Sequence, residues 1–100
     1  MRCGSFDSFF VNFATKSRLD IIMLLKENSL SVGEIAFKLG LEQSMVSHNL
    51  KKLMDCSILS VRQEGKLRVY SLNKDTVVPM LELVEKHVKK HCKLGGCNKL

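Results

Sequence analysis

Gln43, Ser44, Ser47, His48 and Lys51 fall on one face of a single helical pattern, and all five are short or flexible polar side chains. Groups of this kind hydrogen-bond to base edges and phosphates without steric bulk. The opposite face repeats Val46, Leu50, Leu53 and Met54 at three- and four-residue steps, which assigns that face to a core. In the stretch LGLEQSMVSHNLKKL, residues 39–53, Gly40 stops one helix and Glu42 opens the next. Two short helices joined by a glycine turn, the second presenting polar residues from its N-terminal half, read as a helix-turn-helix suited to a major groove. The competing reading is an ordinary amphipathic helix with a solvated face.

A second group of chemically active side chains lies toward the C-terminus. His87 and His91 are four apart and share a helical face, Cys92 follows at once, and Cys97 comes after Gly95-Gly96. Imidazole and thiolate ligands at such positions suit zinc or another thiophilic metal, and Cys3 could add a ligand from the same chain or a partner. No Cys-x-x-Cys pair is present, and Lys89, Lys90 and Lys93 would repel a cation. Those lysines would also lower a thiol pKa, favouring a reversible disulfide of Cys92 with Cys97 or Cys3. Against both stands a frayed basic helix whose histidines are merely solvated. Cys56, among apolar residues, is expected to be a small buried hydrophobe. An enzyme is not expected, because no nucleophile with a base, phosphate-cradling loop or paired carboxylates can be found.

To position these residues the chain has a mainly α pattern with one β excursion. Ser5 caps a helix over 5–14 carrying Phe6, Phe9, Phe10 and Phe13; a second helix, opened by Thr15 or Ser17, runs to Glu27 with Leu19, Ile21, Ile22, Met23, Leu24 and Leu25 buried. Ser31 and Glu34 form a capping box ahead of Ile35, Ala36 and Leu39, so the helix-turn-helix spans 31–55. Residues 58–72 alternate on either side of Glu64-Gly65 and read as a two-stranded wing, with Arg62, Lys66 and Arg68 around its tip. A basic hairpin directly after a helix-turn-helix lets two elements straddle one phosphate backbone. Asn73 or Asp75 caps a last helix over 75–93, with Met80, Leu81, Leu83, Val84 and Val88 as its stripe. The apolar surface on Phe6, Phe9, Phe10, Met80, Leu83 and Val84 exceeds one small core's need and predicts a homodimer through the first and last helices.

Composition agrees with a polyanionic partner: 16 Lys and Arg against 10 Asp and Glu give +6 over 100 residues, the size of one domain spanning 1–100. Double-stranded DNA leads over an anionic membrane surface. No apolar run approaches the roughly 20 residues of a membrane span, so no membrane partner is expected and the location is read as cytoplasmic. Four cysteines beside an adequate apolar fraction do not suggest a disulfide-stapled secreted fold.

The order of elements and several residues resemble the ArsR/SmtB family of winged-helix transcriptional repressors. FATKSRLDIIMLL is similar to the family's second-helix entry, with Arg18 where a Pro-Thr-Arg motif has its arginine and Lys16 where proline is usual. LGLEQSMVSHNLKKL resembles a recognition segment of Gln-Ser-x-Val-Ser-x-His-Leu type, with Asn49 replacing the histidine, and RQEGKLRVYSL resembles the wing. The resemblance implies a homodimeric repressor that releases its operator when a ligand, often a metal ion, is sensed. Ser31 and Gly33 stand where one family site has its Cys-x-Cys pair, so that thiolate site is expected to be absent, and only a loose echo of a second, terminal-helix site remains. The expected function is a sequence-specific DNA-binding transcriptional regulator released by metal or thiol oxidation. The alternatives are a winged-helix protein-interaction or assembly module, and a DNA-binding repressor with no ligand sensor.

Overall fold

The computed structural model describes residues 4–92, which form five helices and a small antiparallel sheet. Helix α1, Phe6–Ala14, starts where extended Ser5 accepts a hydrogen bond from the Ser8 amide at 3.2 Å. Helix α2, Lys16–Glu27, is entered through Thr15, not Ser17, and the Thr15 hydroxyl makes no cap bond there. It donates instead to the Val11 carbonyl at 2.8 Å, and so closes α1. Helix α3, Val32–Leu39, carries the complete capping box: Ser31 N donates to Glu34 Oε1 at 2.9 Å and Glu34 N to Ser31 Oγ at 3.3 Å.

Gly40, at φ +66°, then turns the chain into helix α4, Gln43–Asp55. The Leu41 amide reaches back to the Ala36 carbonyl and the Gly40 amide to Phe37, a Schellman closure that needs a left-handed residue at position 40. The same pair of bonds ends α4, from Ile58 to Leu53 and from Ser57 to Met54, with Ser57 left-handed.

The wing is the hairpin of β2, Leu59–Glu64, and β3, Leu67–Leu72, with Leu59 opposite Leu72 and Glu64 opposite Leu67. Gly65, at φ +62°, takes the first turn position. A third strand joins it that the periodicity did not show: β1, Leu30–Ser31, pairs with β3 in the order β1-β3-β2. Two residues are too few to show alternation, yet they tie the start of α3 to the wing. Helix α5, Val77–His91, is preceded by Thr76 rather than capped by Asp75. Asn73 Oδ1 accepts from the amides of Asp75 and Thr76, so Asn73 shapes the turn before the helix.

Ile21, Ile22, Ile35, Val46, Leu50, Leu53, Ile58 and Val77 fill the centre, and burying each such side chain contributes about 1.5–3 kcal/mol. One expectation about burial fails: Met23 is exposed, because it borders an apolar groove between α1, α2 and α5 rather than the core. Helix α5 buries only Val77 and Leu81, and Leu83 and Val84, read as dimer contacts, are open together with Val88.

Candidate nucleic-acid interface

Helix α4 buries Val46, Asn49, Leu50 and Leu53, which turns Gln43, Ser44, Ser47, His48 and Lys51 to solvent. Gln43, Ser47 and Lys51 line a cleft of about 720 Å³ together with Leu67, Arg68 and Tyr70 of β3, Ser31 of β1, and Val32 and Gly33 at the start of α3. Ser44 and His48 lie outside the cleft on the exposed face of the same helix. The Gln43 side chain rests against Gly33, its Nε2 3.6 Å from where a Cβ would stand, so α3 and α4 touch on this side.

On the wing, the Arg68 guanidinium carbon is 6.0 Å from the centre of the Tyr70 ring, at the outer reach of a cation–π contact. Lys66 is exposed at the tip, and Arg62 is exposed with its Nε donating to Glu64 Oε2 at 2.6 Å. Glu34 has its carboxyl held below the ordinary carboxylate range, first by the hydrogen bond from the Ser31 amide, then by the Ser31 hydroxyl, with Lys38 adding a smaller pull against desolvation. Chemically the cleft offers amide, hydroxyl and cationic donors from two independent elements to one anionic strand.

The residues read as sensor candidates are only partly drawn together. His87 and His91 stack with ring centres 4.9 Å apart on an exposed face of α5. Cys92, at the end of that helix, is half-buried with its sulfur in a disulfide. Cys3 and Cys97 lie outside the described residues, and among the described residues no three His, Cys, Asp or Glu side chains gather for a metal. Cys56 departs from expectation: at the C-cap of α4 it is only half-buried, packed against the edge of the core and reached by Asn12 Nδ2 of α1 at 3.3 Å, and it is disulfide-bonded.

Of the residues read as dimer contacts, Phe6, Phe10, Leu83 and Val84 are exposed and Phe9 and Met80 are half-buried. Phe10, Met80 and Val84 line a groove of about 410 Å³ between α1, α2 and α5, bordered by the ion pair of Lys26 Nζ with Glu85 Oε2 at 3.2 Å, while Phe6, Phe9 and Leu83 lie outside its lining. Sequence reasoning passed over Asn12 and the burial of Asn49, both buried polar residues, and Phe37, which is 88% exposed on α3. The signal for the first two was available, since each stands in an apolar stripe where only a hydrogen-bonded polar group is tolerated.

The family model for the bacterial regulatory protein, arsR family, matches residues 15–61, from the entry of α2 into the wing. The transcriptional activator HlyU of Vibrio cholerae is 36% identical over 73% of this chain and 68% of its own length. The HTH-type transcriptional regulator NmtR of Mycobacterium tuberculosis is 37% identical over 82% and 68%. Among solved structures, a homodimeric winged helix-turn-helix DNA-binding domain from Mycobacterium bovis, a possible ArsR-family transcriptional regulator, superposes with a TM-score of 0.79 at 25% identity, covering 87% of this chain and 81% of that one.

Proposed function

The chain belongs to the arsR family of bacterial regulatory proteins, as a winged helix-turn-helix transcriptional regulator and not an enzyme, and from that premise we propose that it is a homodimeric, cytoplasmic repressor that reads duplex DNA through α4 and grips phosphates with the wing. The observation that carries this is the cleft between α4 and β3, where Gln43, Ser47, Lys51 and Arg68 face one space. Gln43, Ser44, Ser47 and His48 are assigned to base edges, and Lys51, Arg62, Lys66 and Arg68 to phosphates. Replacing Gln43 with Ala should cost about 1–3 kcal/mol on the preferred duplex and little elsewhere. Replacing Arg68 with Ala should weaken all duplexes together and reduce the salt slope by about one. Titrations in which both variants lose equally on every sequence would sink the assignment.

For the signal, the disulfide at Cys92 supports thiol oxidation ahead of a metal, since a sulfur already in a disulfide is no thiolate ligand. Oxidation here joins two thiols into one disulfide and passes two electrons and two protons to a peroxide-class oxidant. Zinc or another thiophilic metal on His87, His91 and the reduced cysteines, Cys3 and Cys97 included, is the second reading, supported by the two imidazoles sharing one exposed face. Thiol counting and elemental analysis on protein purified without chelator separate the two, using the Cys92→Ser, Cys97→Ser variant as control. If DNA affinity ignores both zinc and peroxide, the repressor has no sensor of either kind.

A further inference from the structure

Three polar side chains lie among the helices with no place on the DNA-facing surface. Asn12 of α1 is 2% exposed and Asn49 of α4 is 6% exposed. Arg18 of α2 bridges them: its Nη1 donates to Asn12 Oδ1 at 2.9 Å and its Nε to Asn49 Oδ1 at 3.2 Å. Asn49 Nδ2 in turn donates to Ser17 Oγ at 3.3 Å. Asn12 Nδ2 is shared among the Ser8 carbonyl at 3.2 Å, the Phe9 carbonyl at 3.0 Å and the Cys56 sulfur at 3.3 Å. One connected network therefore ties α1 to both the middle and the end of α4.

Apolar side chains of similar size would fill these sites without desolvating an arginine, so the network is not the cheapest way to hold the helices together. What it adds is geometry, because hydrogen bonds constrain distance and angle where apolar packing allows sliding. We propose that Asn12, Arg18 and Asn49 are positioning residues for DNA recognition: they fix the roll of α4 against α1, so that the same helix that seats the dimer also aims the recognition face. Side-chain tips on a helix stand about 5–6 Å from its axis, so a roll of about 10° moves them by about 1 Å. That displacement takes a base contact out of hydrogen-bonding range. Asn49 follows directly on Ser47 and His48, which makes it the inward pin of the outward-facing turn.

The inference rests on the DNA-reading function proposed above, and the test keeps the two apart. Wild type, Arg18→Met, Asn49→Leu and Asn49→Asp are titrated as full chains by fluorescence anisotropy, below the onset of melting. The probes are a duplex that wild type enriches from a randomised pool and a random-sequence duplex of equal length. Arg18→Met and Asn49→Leu should lower the ratio of enriched to random affinity about tenfold, the size of one lost base contact. Affinity for the random duplex should stay within about twofold, because phosphate attraction does not depend on the roll. Asn49→Asp should retain the ratio, since it keeps an oxygen for Arg18 and the Ser17 hydroxyl can turn to donate. Should Arg18→Met not fold, the Leu and Asp variants at position 49 decide alone, Leu being at home in that apolar surround. Folded variants that melt earlier yet keep the full ratio would overturn the proposal and leave a purely structural network. If wild type enriches no sequence, the DNA-reading function falls first and this inference with it.

Discussion

Ser57 closes the recognition helix in a conformation that L side chains seldom adopt, at φ +55°. The equivalent position after α3 is Gly40, which takes the same conformation without a Cβ penalty. Ser57 is kept there by its surroundings: its amide donates to the Met54 carbonyl at 2.9 Å, and its carbonyl accepts from Asn73 Nδ2 at 2.9 Å. A left-handed non-glycine residue costs roughly 1–2 kcal/mol, and a new glycine adds about 0.4–1 kcal/mol of unfolded-state entropy. The balance predicts that Ser57→Gly stabilises the protein by about 0.5–1 kcal/mol in urea unfolding, with DNA affinity unchanged because the turn keeps its shape. A loss of stability would show that the Ser57 hydroxyl contributes more than the strain costs.

At the scale of elements, α3 is the shortest helix and depends most on its ends. Its capping box uses an ionised Glu34, whose carboxyl is held below the ordinary range chiefly by the Ser31 amide. A group with a lowered folded-state pKa stabilises the fold fully above its unfolded pKa, and that contribution is lost as pH falls through the lowered value. Wild type should therefore melt above Glu34→Gln at neutral pH, and the gap should close in acid. A gap that persists once the Glu34 carboxyl is protonated in the folded protein would assign the difference to something other than charge. This box was legible from Ser31 and Glu34 three apart, as were the glycine turn, the exposed polar face of α4 and the hairpin, because each rests on local spacing. Three things were not. β1 is two residues long and exists only through its pairing with β3; the exposure of Met23 depends on which helices flank it; the Asn12 to Asn49 link joins residues far apart in sequence. The cleft had the same character, its α4 residues readable but Leu67 and Tyr70 placed in it only by the fold.

For the whole molecule, the decisive quantity is the apolar surface that one chain leaves uncovered. Phe6 is 83% exposed, Leu83 69% and Val84 50%, all on the first and last helices. A two-fold dimer through these helices would use the same patch on both subunits and point two recognition helices in one direction. Two half-sites about one helical turn apart could then be engaged together, and the second contact becomes intramolecular. Such linkage raises affinity by about 10²–10⁴ without any new contact to DNA. A Leu83→Glu, Val84→Glu variant places two carboxylates in that interface while leaving the buried Val77 and Leu81 in place, so it should fold as a monomer. Sedimentation should show two chains for wild type at micromolar concentration and one for the variant. On a palindromic duplex the variant should bind about a hundredfold more weakly, but on a single half-site it should match a wild-type subunit. A monomeric variant with undiminished affinity for the palindrome would show that each chain reads its site alone.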